Sequence, residues 1–361
     1  MGVYSTPQPN IQDAAPSVLT RARTPLSPHD AAGGRALRKL ALVGGLGAPS
    51  AARFGMERRK GLVPGYIGVT DRRWFEYLRR AGLDEVNFWQ PTPAGVNALP
   101  GTPWIFKLHY PMNAIVGFGF LTYHTRMPIA VAWEAFGRGN GVASYAEMLS
   151  LVAAYRKGAS AAAEIGCVVL SDPVFLDEAD WIPAPADWAP NIVKGKYYGL
   201  TEGPGAEIWR QLSARAAVPA TASALVAPNA LGKPVLIAPR LGQGAFRLQV
   251  TDAYARRCAV TGEKTLPALE AAHIVPFAEV KAHDVRNGLL LRSDLHRLFD
   301  LGYVSVRPDL RFVVSRAIRE DFENGRDYYA LAEKEIALPA DPAKIPARES
   351  LERHYDGIFR K

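Results

Sequence analysis

The pattern of apolar and polar positions changes character along the chain. Residues 1–60 show no sustained period, are rich in Ala, Pro, Gly, Ser and Arg, and hold only Tyr4 and Phe54 as aromatics. Such a stretch cannot bury enough apolar surface to offset chain entropy, so disorder is expected. From 61 to 212 short apolar runs alternate with Gly and Pro, at 86–89, 104–108, 114–121, 165–170 and 173–176. These read as strands of a small sheet or barrel. Asp71 can cap a helix bearing Trp74, Phe75 and Leu78. Ser144, with Glu147 three positions on, opens a second helix over 144–156 by the capping-box pattern. Residues 213–239 are Ala/Pro-rich and lack aromatics, which marks a linker. A second domain is expected over 240–361.

In that second domain the pattern tightens over 254–306. Glu270–Ile274 reads as a strand ending at Pro276. A loop with Asp284 and Asn287 follows, then a short strand at 288–291 and a helix from about Ser293. His296 and Asp300 are four apart on that helix and share a face. Imidazole with carboxylate on one face suits a divalent metal, and His273 would approach from the facing strand.

The order His273, Asn287, His296, within the lines AAHIVP, NGLLL and DLHRLFD, resembles the HNH nucleases. The resemblance implies a two-stranded hairpin and a helix around one metal ion, Mg2+ or Mn2+ by preference. It assigns His273 as the general base that takes a proton from the attacking water. Asn287 holds the connecting loop, His296 binds metal, and Asp300 stands where some members place a further ligand. An imidazole titrates near working pH, which suits that base. Two departures matter. Ala272 stands where many members carry a ligand, which leaves Glu270 and Asp284 as candidates to complete the shell. Of the thiolates of a structural zinc only Cys258 is present, with Gly262, Arg292 and Leu295 at or near the other places. No structural zinc is therefore expected, and packing of Leu289, Leu291, Leu295, Leu298 and Phe299 replaces it. His283 reads as a loop histidine.

All seven tryptophans fall within 61–212. The lines VNFWQPTP, WIFKLHYP, IVGFGFL and AWEAFGRGNG resemble the PUA-like superfamily, in particular its EVE-like readers. The resemblance implies a flipped modified base held in an aromatic pocket. Stacking walls and polar edges are what such a base needs. Asn87, Trp89, Gln90 and Trp133, with Glu134, are the base-pocket candidates. The competing reading is that most tryptophans pack in cores.

Charge adds little. The chain is +8 overall, but nine Lys/Arg against three acids in residues 1–60 account for six of those charges. Any grip on phosphate in the rest must come from local clusters. Lys107, Arg256, Arg257, Arg292 and Arg297 are candidates, with His109, Lys194 and Lys196 behind them. Two cysteines exclude a disulfide scaffold and suit a reducing cytoplasm.

The expectation is an α+β protein with a basic tail over 1–60, a PUA-like reader over 61–212, a linker over 213–239 and an HNH nuclease over 240–361. It would act in the cytoplasm on DNA, without a membrane, as a metal-dependent endonuclease directed to modified bases such as modified cytosine. A homodimer is expected, since two strands must be cut. The alternatives are a nuclease on unmodified DNA or RNA, and a nucleic-acid-binding protein whose nuclease site has decayed at Ala272.

Overall fold

The first half is built on a strand path that sequence neighbours alone would not predict. A computed structural model describes residues 63–93, 95–156, 158, 160, 162–215, 226–228, 234–236 and 242–361. The tail over 1–60 lies outside the described residues, as does most of the segment read as a linker. The first half contains β1 (Pro64–Thr70), α1 (Arg72–Ala81), β2 (Glu85–Asn87), β3 (Pro103–Leu108), β4 (Ala114–Pro128), α2 (Ile129–Phe136) and α3 (Tyr145–Arg156). It continues with β5 (Glu164–Phe175), β6 (Ile182–Pro183), β7 (Gly195–Gly199) and α4 (Gly203–Arg215). Seven strands form one sheet in the order β2-β5-β4-β3-β1-β7, with β6 added to β4. The β1–β3 pair is parallel and the other pairs are antiparallel.

Local signals place the helices. The Asp71 carboxylate accepts the N–H of Trp74 at 2.8 Å, and α1 ends at Gly82, whose φ of 57° a glycine takes without strain. Ser144 accepts the N–H of Glu147, but the Glu147 carboxylate reaches back to Ala143 N, one residue before Ser144. The two runs read at 165–170 and 173–176 are one strand, β5. The terminal-side strands β1 and β7 carry no run of the kind the sequence reading sought. Their pairing supplies what their pattern lacks.

β8 (Val226–Pro228) and β9 (Pro234–Leu236) pair with each other inside the segment read as a linker. The second half then runs α5 (Gln243–Ala253), β10 (Leu269–His273), α6 (Phe277–Val280), β11 (Gly288–Arg292) and α7 (Ser293–Asp300). β12 (Val304–Val306), β13 (Phe312–Val314), α8 (Ala317–Phe322), α9 (Arg326–Tyr329) and α10 (Arg348–Gly357) complete it. β10 and β11 form an antiparallel hairpin in which His273 faces Gly288. Leu289, Leu291, Leu295 and Phe299 are buried in one apolar cluster with Phe246, Val250, Cys258 and Ala272, and Leu298 packs against it. Both cysteines are buried and unpaired. The fold class is α+β.

The described residues fall within one compact unit. The element shared by the two halves is α5. Its first turn lies so close to the sheet that side chains would not fit. A Cβ on Gly242 would come within 2.4 Å of the Glu85 carboxylate, and one on Gly244 within 2.3 Å of the Phe136 ring. Tyr123 and Thr125 of β4 donate to Asp252 at the far end of the same helix, at 2.9 and 2.6 Å.

Candidate active site

A short hairpin followed at once by a helix brings four predicted residues to one cavity. The cavity has a volume of about 420 Å³, and Glu270, His273, His296 and Asp300 line it together with Phe246, Arg247 and Glu134. His273 closes β10, and Asn287 stands immediately before β11. Asn287 is buried, and its side chain accepts the N–H of Val275 and donates to the Val275 carbonyl, both at 2.9 Å. The Asn287 carbonyl also accepts the N–H of Ile274. One amide thus satisfies the backbone just past His273, where the strand has ended and no ladder remains to do so. Asn287 orients the base candidate without entering the cavity.

His273 lies flat on Phe246, with ring centroids 4.0 Å apart and planes 11° apart. Its Nε2 is 3.1 Å from Nδ1 of His283. Burial, with repulsion from His283 and His296, pushes His273 down to about 4. At neutral pH the ring is uncharged and has a lone pair to offer, as a general base requires. His283, read from sequence as a loop residue, is thus a direct partner of His273 and stacks on Phe277 at 4.3 Å. Phe246 carries no motif signal in the sequence. It lies 27 positions before His273, and only the packing of α5 against the hairpin reveals it. Gly288 permits that packing, since a Cβ there would meet Val250 at 2.5 Å.

His296 and Asp300 do share a face of α7. Nε2 of His296 is 3.4 Å from Oδ2 of Asp300, and Nδ1 is 2.5 Å from Oε2 of Glu270. Glu270 therefore sits on the opposite ring nitrogen from Asp300. With the proton on Nδ1, Glu270 fixes the tautomer that leaves Nε2 open, the arrangement usual behind a metal-bound imidazole. Glu270, read from the sequence as a metal residue, is thus in direct contact with His296 and lines the same cavity. Asp284 accepts the N–H of Arg286 at a turn and does not line the cavity. Ala272 is fully buried in the apolar cluster and offers no donor.

HNH endonucleases are in general dependent on a divalent metal. The donor chemistry here fits one. Three carboxylates, from Glu134, Glu270 and Asp300, line the cavity against a single guanidinium. Imidazole with carboxylate suits hard or borderline divalent ions. Among the described residues no three His, Cys, Asp or Glu side chains converge as a metal cluster. His296 Nε2 and Asp300 Oδ2, 3.4 Å apart on one helix face, are the imidazole–carboxylate pair of the cavity.

The basic candidates fare unevenly. Lys107 is buried, because both faces of β3 are covered. Its ammonium donates to the Leu108 carbonyl and the Asn113 side chain at 3.0 and 2.9 Å, and burial pushes its pKa down. It cannot meet a phosphate, which corrects the sequence reading. Arg256 is also committed elsewhere. It pairs with Glu164 at 2.6 Å and with the Arg126 carbonyl, joining the halves. Arg292 is held by Asp294 at 2.5 Å. Arg257 and Arg297 are exposed.

The base-pocket candidates are largely consumed by packing. Asn87 is fully buried and donates to Asn140 Oδ1 at 2.9 Å, while Trp89 Nε1 donates to the Asn140 carbonyl at 2.9 Å. The backbone of Gln90 bridges to that of Gly166, and Trp133 packs beside Tyr145 at 6.3 Å. These four line neither the nuclease cavity nor the cavity of about 390 Å³ bounded by His124, Arg126 and Arg256, whereas Glu134, named with them, lines the first. Asn87 as a base-reading side chain is corrected outright: the residue is fully buried, with its amide nitrogen donating to Asn140.

Residues 258–307 match the HNH endonuclease family. No curated protein sequence matches the chain. Among solved structures, an ASCH protein from Zymomonas mobilis is similar over 40% of this chain and 92% of its own, at 10% identity and a TM-score of 0.28. A variant of the same protein gives 41% and 95%, at 11% identity and a TM-score of 0.30. A modification-dependent restriction endonuclease, TagI, is similar over 72% of this chain and 62% of its own, at 14% identity and a TM-score of 0.25. No described helix is long and apolar enough to cross a membrane.

Proposed function

Taking as premise that residues 258–307 are an HNH endonuclease domain and the chain a nuclease, we propose that it is a metal-dependent DNA endonuclease of the restriction type, directed to modified bases by its first half. The observation that carries the hydrolytic part is the cavity itself. A neutral His273, held by Phe246 and by the Asn287 clasp, faces the His296–Asp300 pair. In this reading His273 accepts the proton of the attacking water, and His283 stands at Nε2 to receive or return it. Asn287 keeps the end of β10 from fraying, so the base stays aimed. His296 and Asp300 would hold the divalent ion, Mg2+ or Mn2+, which supplies charge stabilisation at the phosphate and the leaving oxygen. Glu270 keeps His296 in the tautomer with Nε2 open.

The reader role is supported by the PUA-like sequence lines in 64–212. The division proposed with it is a reader over 61–212, a linker over 213–239 and a nuclease over 240–361, acting as a homodimer in the cytoplasm on modified cytosine. A second reading, a nuclease indifferent to modification, is favoured by one observation: the Asn87 side chain is fully buried and donates to Asn140.

The test is cleavage of plasmids with unmodified cytosine and with different modified cytosines, by wild type and by His273→Ala. General-base loss should lower the rate about 10²–10⁴-fold. Cleavage that survives the substitution sinks the mechanism, and equal rates on modified and unmodified DNA favour the second reading.

A further inference from the structure

The inference rests on the nuclease reading above. Among the residues lining the catalytic cavity Arg247 is the one Lys or Arg, and the first half supplies its partner, Glu134. Arg247 follows directly on Phe246, the residue stacked on His273, so its place in α5 is fixed by the same helix that positions the base. Glu134 comes from α2. The pair is close, yet the two side chains keep 26% and 33% of their surface open. Burial holds the Glu134 carboxyl above the ordinary range; Arg247 offsets that, and Glu270 nearby adds repulsion. Glu134 is thus an uneasy partner at the mouth of the site.

A phosphodiester that enters this cavity meets three carboxylates. Its own charge grows in the transition state, so a preorganised cation there has the largest effect on rate. A guanidinium presents a planar fork that fits two phosphate oxygens as well as two carboxylate oxygens. Phosphate and Glu134 therefore compete for one fork. We propose that Arg247 binds the scissile phosphate, and that Glu134, reaching in from the other half, is the carboxylate that holds Arg247 until the substrate displaces it.

The two members of the pair should respond in opposite directions. On one plasmid substrate with Mg2+ or Mn2+, Arg247→Ala lowers kcat by about 10²–10³-fold, as loss of one transition-state donor does, and Arg247→Lys falls between. Glu134→Gln removes the competitor and raises kcat/KM by up to about fivefold, the worth of a partly exposed ion pair. If both variants lose activity together, with matched losses of thermal stability, the pair is only a rivet between halves and the proposal fails. Wild-type kcat in Arg247→Ala also overturns it. DNA affinity without divalent metal gives an independent readout. The slope of log Kd against log salt should fall by about 0.9 in Arg247→Ala, one phosphate contact, and an unchanged slope overturns the assignment. Wild-type protein that binds DNA but cuts none would defeat the nuclease reading instead, while that slope still reports on Arg247.

Discussion

The hairpin and helix over 269–300 and the aromatic sheet over 64–199 follow opposite rules. In the first, the chemistry sits in a contiguous stretch. The contacts that shape the site there span at most 26 positions: Asn287 to the Val275 backbone, His296 to Glu270, His273 to His283. In the second, the candidate polar side chains are spent on distant partners. Asn87 and Trp89 close on Asn140, more than 50 positions away. A residue type in the first region therefore announces a role, whereas in the second the same kind of residue announces a packing contact.

The sharpest way to break that contrast is Asn287→Ala. Two buried backbone groups of Val275 lose their partners, at a cost of about 2–5 kcal/mol in denaturant unfolding, and cleavage falls with the loosened His273. A variant of full stability would show that the clasp is dispensable.

His354 tests whether a histidine can belong wholly to packing. It is buried, bonded to Ser305 and the Phe299 carbonyl, and desolvation pushes it to about 4. The unfolded chain takes up a proton near pH 6.5 that the folded chain refuses until about 4. Stability should therefore fall as pH drops through that window, by about 3 kcal/mol. His354→Gln should lessen the slope of unfolding free energy against pH between 6.5 and 4, leaving the part His273 contributes, and an unchanged slope would refute the assignment.

Glu85→Ala asks how far the two regions depend on each other. The Glu85 carboxylate accepts the N–H groups of Gly244 and Ala245 at 2.8 and 3.2 Å, capping α5 from across the molecule. Its loss should cost about 1.5–3 kcal/mol, the worth of hydrogen bonds to a charged group, and lower kcat through Phe246 more than it changes DNA affinity. Equal effects on kcat and affinity would argue that α5 does not transmit the change to His273. The smallest expected effect is Trp89→Phe. If Trp89 only packs, melting should report a loss of about 1 kcal/mol for the missing bond to Asn140, and DNA binding should hold. A selective loss of affinity for modified DNA would return Trp89 to the reader pocket.

How much was readable follows from these distances. The strand at 270–274, the strand at 288–291, the helix from Ser293 and the caps at Asp71 and Ser144 all rest on partners no more than 23 positions away. Period and capping residue suffice to find them. The parallel pairing of β1 with β3, the burial of Lys107 and the capture of Arg256 by Glu164 each depend on a partner far along the chain, and composition carries no trace of that partner. His283 lay in plain view between His273 and Asn287. Its role was hidden because a loop's path, unlike a helix face, has no period.

The sequence by itself determined the nuclease motif and the spacing of His273, Asn287, His296 and Asp300, since hairpin and helix geometry follow from local pattern. Tertiary structure alone decided what surrounds them. It set Phe246 under the base, put Glu270 on the far nitrogen of His296, and brought Glu134 and Glu85 from the other half onto α5. The physical reason is that close packing joins residues by surface fit, which depends on the whole chain at once.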